Sequence, residues 1–299
     1  MEKNHLINNQ SQKEQFQAMF KRKMTFVLLY IMHYVNRSKA NNLIKKGFFS
    51  PKSRELKPDE IDFLKKGEPF SIEVDNQKIQ AWRYGSGRTV LCVHGWASRG
   101  ARFYSIHQAA LKAGFSLVIF DGPGHGESEG KTSSYFQMTD TVRAMVNHIG
   151  VENIAGLIGH SFGSAAIVNT VDKEKLKMPL ILVAPALNMK EILDEASIKH
   201  GVPLNIFYKI IAEYEQKYGY SIERDNPCRL ILKDNNPTLL FHDVGDRTVD
   251  FNQSKEIINK RNNNIELVPT SNLGHSRVLS DPDLVRVMID FISKNMKSV

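Results

Sequence analysis

Cysteine is almost missing from this chain: Cys92 sits inside an apolar run, Cys228 in a polar stretch, and 299 residues hold no others. Two isolated cysteines exclude a disulfide framework and a thiolate-rich metal site, and a reducing, cytoplasmic compartment is the simpler expectation. The ten histidines lack HExxH-type spacing, so no metal is expected, and no motif calls for a cofactor. Internal repeats and low-complexity tracts are absent. The apolar run at residues 24–35 is 12 long, short of the roughly 20 that a membrane-spanning helix needs.

Acidic residues are the scarcer charge, 32 against 40 basic, for a net charge of +8. The imbalance is local. Residues 1–67 hold 14 basic and 6 acidic side chains, and the remaining 232 residues hold 26 of each sign. A nucleic-acid enzyme is expected to carry its basic stripe through the working domain, so a neutral body argues against nucleic acid as partner. The basic segment reads as a mostly helical extension, with Phe16, Phe20, Val27, Ile31 and Val35 near helical spacing. A helix docked on the body is expected. Weak contact with an anionic membrane surface is the first alternative. An export signal is the second, poorly matched because no small-residue cleavage site follows the apolar run.

From residue 68 the pattern is that of one α/β domain, 41% of the whole chain being hydrophobic. Residues 69–74 and 78–84 read as strands joined by Asp75-Asn76-Gln77, and 89–93 (TVLCV) as a strand buried on both faces. Helical and strand runs then alternate: helix 101–113, strand 116–120, helix 136–149, strand 154–158, helix 164–171, strand 180–184. Such spacing implies parallel βαβ units. Between about 187 and 236 the rhythm stalls, and Leu204, Phe207, Tyr208, Ile211, Tyr214 and Tyr218 fall at helical spacing. That region is expected to be an inserted helical cap. Strand 238–242, helix 252–261, strand 265–268 and helix 282–295 complete a three-layer sandwich around a mostly parallel sheet.

Chemistry concentrates in Gly159-His160-Ser161-Phe162-Gly163, a G-x-S-x-G pentapeptide between an expected strand and helix. Small residues on both sides permit the sharp turn that lifts a serine above the sheet's carboxyl edge. Ser161 needs a base, because a free hydroxyl is a weak nucleophile near neutral pH. His275 follows the last strand and can reach back over the edge. Its imidazole needs an acid to fix the tautomer, and Asp246, in the loop after strand 238–242, is preferred. Asp243 and Asp250 are the rivals, one close to the strand end and the other at the start of the next helix.

With His94-Gly95-Trp96 after the third strand and Asp121-Gly122-Pro123-Gly124-His125-Gly126-Glu127-Ser128 after the fourth, the chain from about residue 70 resembles the α/β-hydrolase family. The resemblance implies a serine hydrolase acting on a carboxylic ester or related acyl compound. It assigns Ser161, His275 and Asp246 as catalytic and the backbone N–H groups of Trp96 and Phe162 as the oxyanion hole. His94 and His125 are then loop-ordering residues, and His160 packs under the elbow. A serine at the elbow argues against the dehalogenases and epoxide hydrolases that share this fold. Thioesterase, carbon–carbon bond hydrolase and perhydrolase chemistry use the same triad and stay open, as does a non-catalytic binding protein of this fold. A single Gly precedes Trp96, unlike the HGGG run of some lipases.

Overall fold

The computed structural model describes residues 2–52, 54–260 and 264–296, with side chains from residue 17 onward. The chain runs through α1 (Glu2–Val35), α2 (Arg37–Phe48), α3 (Pro58–Lys66), β1 (Glu68–Val74), β2 (Gln77–Tyr84), β3 (Thr89–Val93), α4 (Tyr104–Lys112), β4 (Ser116–Phe120), α5 (Tyr135–Ile149) and β5 (Ile154–His160). It continues with α6 (Phe162–Glu174), β6 (Leu180–Val183), α7 (Met189–Lys199), α8 (Leu204–Tyr218), α9 (Pro227–Leu230), β7 (Thr238–Asp243), α10 (Asn252–Lys260), β8 (Ile265–Thr270), α11 (Gly274–Arg277) and α12 (Pro282–Asn295). The Phe16 side chain and Arg261, both part of the sequence expectations, lie outside the described residues.

Two compact units divide the chain: residues 1–49 with 190–219, and residues 50–189 with 220–299. The larger unit is built on an eight-stranded sheet of order β1-β2-β4-β3-β5-β6-β7-β8. β1 and β2 pair antiparallel, β2 meets β4 antiparallel, and every other pairing is parallel. β3, β4 and β5 are buried at every residue, as strands covered on both faces must be, and their near-continuous Val, Leu and Ile content follows from that. Two glycines of β5 report on the two faces. A Cβ on Gly156 would meet Ile292 of α12, and one on Gly159 would meet Ser164 and Ile167 of α6. α12 and α6 therefore cover opposite sides, the three-layer arrangement expected.

Local chemistry sets several boundaries away from the expected ones. The β1–β2 link is two residues, Asp75 and Asn76, both at positive φ (53° and 57°), because Gln77 already pairs with Val74. β5 runs on to His160, since Gly159 and His160 pair with Leu182 and Val183. β8 runs on through Pro269, which is tolerated because β8 is an edge strand.

The smaller unit consists of α1, α2, α7 and α8. Asn36 ends one helix and caps the next, its side chain accepting the Lys39 N–H. Phe48 packs on Phe207 at 4.6 Å and Phe49 on Tyr214 at 4.9 Å, while Lys45 pairs with Glu213 at 2.6 Å. Phe207 and Ile211 are buried. The apolar stripe of α8 is thus used for packing inside its own unit.

Candidate active site

Ser161 stands between the last residue of β5 and the first of α6 at φ 52°, ψ −120°. A side chain other than Gly is rarely found there, and the surroundings hold it. The Ser161 N–H donates to Val183 O at 2.9 Å, and its C=O accepts from Ser164 at 3.0 Å and Ala186 at 3.2 Å. The flanking glycines are needed for space. A Cβ on Gly163 would lie 2.2 Å from Val93 O, and one on Gly159 would lie 2.7 Å from the Ser164 Cα.

His275 begins the second residue of the short α11, in the loop after β8, and Asp246 lies in the loop after β7. The structure brings them together: His275 Nδ1 donates to Asp246 Oδ2 at 2.7 Å, leaving Nε2 as the ring's open lone pair. The Asp246 carboxylate is fully buried, with side-chain exposure of 0%. Its Oδ1 accepts the N–H groups of Thr248 (2.7 Å) and Val249 (3.1 Å), and its Oδ2 also faces His242 Nε2 at 3.4 Å. Burial alone pushes this carboxyl up, but His242, His275 and the Thr248 N–H outweigh it and hold it well below the usual carboxylate range.

The rival acids do other work. Asp243 Oδ2 accepts the Leu273 N–H (2.8 Å) and the Thr270 hydroxyl (3.1 Å), tying down the His275 loop. Asp250 accepts the Asn252 N–H at the start of α10. Among the described residues Ser161 Oγ makes no hydrogen bond.

The loop after β3 is organised by two neutral histidines. His94 Nδ1 donates to Gly95 O at 2.8 Å and its Nε2 accepts the Gly122 N–H at 2.8 Å. His125 Nδ1 donates to Pro123 O at 2.9 Å and its Nε2 accepts the Ala97 N–H at 3.2 Å. Burial pushes His94 down to about 4 and His125 to about 3, so each keeps the lone pair that anchors a backbone N–H. Together they fix the strand-to-loop segment on either side of Trp96. The Trp96 indole lies against Phe162 with ring centres 5.4 Å apart, and Tyr135 lies 6.3 Å from Phe162. The Phe162 N–H is at the first turn of α6, where backbone donors have no intrahelical acceptor. Among the described residues neither it nor the Trp96 N–H has a protein partner.

Two contributors were not assigned such roles from sequence. His160, expected only to pack under the elbow, donates its Nε2–H to the His275 carbonyl at 2.8 Å. His242 is buried beside Asp246, with Nδ1 on Ser254 Oγ at 2.8 Å and Nε2 on Val249 O at 3.1 Å. A His following the apolar Leu239-Leu240-Phe241 of β7, four residues before the acid, is the signal that could have marked it.

Residues 86–227 match the family model described as serine aminopeptidase, S33. A serine hydrolase-like protein of Danio rerio is 27% identical over 152 residues, 48% of this chain and 46% of that protein. A putative esterase/lipase of Mycoplasma pneumoniae is 28% identical over 140 residues, 43% of this chain and 50% of the relative. The chain spans about half the length of these curated relatives. Among solved structures, a Pyrococcus furiosus esterase superposes with a TM-score of 0.63 at 20% identity, over 83% of this chain and 98% of its own.

Proposed function

We propose that this chain, which has the α/β-hydrolase fold, is a serine hydrolase that cleaves a small carboxylic ester or related acyl compound through an acyl-enzyme. The observation that carries the reading is the 2.7 Å His275–Asp246 hydrogen bond on a chain whose Ser161 occupies a strained strand-to-helix turn.

In this reading Ser161 Oγ attacks the acyl carbonyl while His275 Nε2 takes its proton. Asp246 holds the imidazole in the tautomer with Nδ1 protonated and stabilises the imidazolium that forms. The oxyanion develops against the Trp96 and Phe162 N–H groups, and such donors are each worth roughly 2.7–4 kcal/mol of barrier. His275 then hands its proton to the leaving alcohol, and collapse of the tetrahedral intermediate leaves the acyl group on Ser161. Water, deprotonated by the same histidine, releases the acid and restores the serine.

The aromatic side chains of Trp96, Phe162 and Tyr135 beside the nucleophile favour an apolar acyl or alcohol portion over a charged one. The relatives' esterase and lipase descriptions support the same substrate class. A reducing, cytoplasmic location belongs to the proposal, resting on two cysteines that form no disulfide. No described helix is long and apolar enough to cross a membrane.

A panel of p-nitrophenyl esters of graded chain length, with Ser161→Ala as the blank, tests the reading. Turnover that peaks at one chain length and vanishes in the variant is expected. Turnover retained by Ser161→Ala on every substrate contradicts it. A thioester panel run in parallel separates the thioesterase alternative.

A further inference from the structure

Residues 15–54 contain nine lysines and arginines and not one aspartate or glutamate. Within this stretch α1 presents an unusual surface. Leu29 and His33, four residues apart and therefore on one stripe of the helix, are 7% exposed or less. Around them the helix is apolar and open. Met24, Phe26, Val27, Leu28, Ile31 and Tyr34 are between 45% and 70% exposed. At 100° per residue these positions sweep about 200° of the helix circumference.

A contiguous exposed apolar surface of this extent marks a partner, and the charge pattern says which kind. Lys21, Arg22 and Lys23 precede the apolar run, and Arg37 and Lys39 follow it. Protein–protein interfaces are depleted of lysine. Flanks along the chain that carry cations alone, on either side of an apolar helix face, fit a surface that is negative outside and hydrocarbon inside. Arg22 and Lys23 also line, with Phe26, Val27 and Leu204, a largely apolar cavity of about 530 Å³ in the same unit. Its volume exceeds that of a few methylene groups, and Arg22 and Lys23 are among its lining residues. Residues 24–35 span about 18 Å as a helix, against a hydrocarbon core of about 30 Å, so α1 is suited to lie in the interface and not to cross it.

We propose that α1 is an interfacial anchor that binds anionic phospholipid bilayers, its apolar side chains at the headgroup–acyl boundary and its flanking cations on lipid phosphates. This stands apart from the hydrolase reading and does not depend on it.

The test is flotation of the full chain with phosphatidylglycerol/phosphatidylcholine vesicles and with pure phosphatidylcholine vesicles, alongside sedimentation equilibrium without lipid. The double variant Val27→Asp, Ile31→Asp and the charge variant Lys21→Gln, Lys23→Gln are compared, each checked by circular dichroism and thermal melting. The expected result is a lipid-free monomer that floats with the anionic vesicles. Partition falls about tenfold or more in each variant and with added salt, while the melts are unchanged. Equal, negligible flotation with both vesicle types overturns the proposal, and so does binding that neither variant weakens. A stable lipid-free dimer that Val27→Asp, Ile31→Asp dissociates overturns it in favour of a second copy of the chain on this face.

Discussion

The Nε2–H of His160 donates to the main-chain carbonyl of His275 at 2.8 Å, joining the residue before the proposed nucleophile to the proposed base 115 positions later. The ring centres lie 4.9 Å apart. Because the contact is to the backbone of His275, it fixes the loop without competing for the imidazole. His160 is therefore a positioning residue, and His160→Leu is expected to lower kcat about 10- to 100-fold with little change in KM, since small misplacements of a base are costly. His160→Gln, which keeps a donor, is expected to recover part of the loss. Equal losses in both variants would assign the effect to packing.

The two neighbouring carboxylates are expected to separate cleanly. Asp246→Asn leaves His275 in the wrong tautomer and is expected to drop kcat by about 10⁴, the scale seen when a triad acid is amidated. Asp243→Asn removes an acceptor for Leu273 N–H and Thr270 Oγ1. Its cost is expected in stability, about 1–3 kcal/mol by urea unfolding, with a much smaller change in kcat.

Stability is expected to fall steeply with acid. His94 is held to about 4, and His125 and His160 to about 3, each chiefly by burial. Between those values and about 6.5, the ordinary imidazole value, the unfolded chain takes up protons that the folded chain refuses, so stability rises with pH across that window. Each histidine contributes a slope of up to about 1.4 kcal/mol per pH unit. Asp246, held low, adds stability that is present above about 4 and lost as pH falls further. Urea midpoints at pH 7, 6, 5 and 4 check this, and His125→Gln is expected to flatten the slope.

Space at the elbow gives a packing prediction. A Cβ on Gly163 would stand 2.2 Å from Val93 O and 2.6 Å from His94 O, both rigid backbone. Gly163→Ala is expected to cost about 3 kcal/mol or more. Gly47, inside α2 with nothing within 4 Å of a built Cβ, serves as the control. Gly47→Ala is expected to stabilise by up to about 1 kcal/mol.

Much of this architecture was legible in the chain. β3 and β4 fell at residues 89–93 and 116–120 as expected, because a continuous apolar run of five leaves little room for another register. The order Ser161, Asp246, His275, with each residue at a strand's carboxyl end, placed the candidate site. What escaped was tertiary. His160 looked like a packing residue and His242 was read only as the end of a strand, since a histidine's partner is chosen by loops that sequence spacing does not bring together. The true extent of β8 was hidden by Pro269, whose tolerance depends on the strand being at an edge.

The central claim is that Ser161 is an activated nucleophile. Intact-protein mass spectrometry after treatment with a fluorophosphonate tests it most directly. One adduct per folded chain is expected, mapped to Ser161, absent from Ser161→Ala and strongly slowed in His275→Ala. A folded chain that takes up no adduct, or a Ser161→Ala variant that labels as fast as the parent, would contradict it.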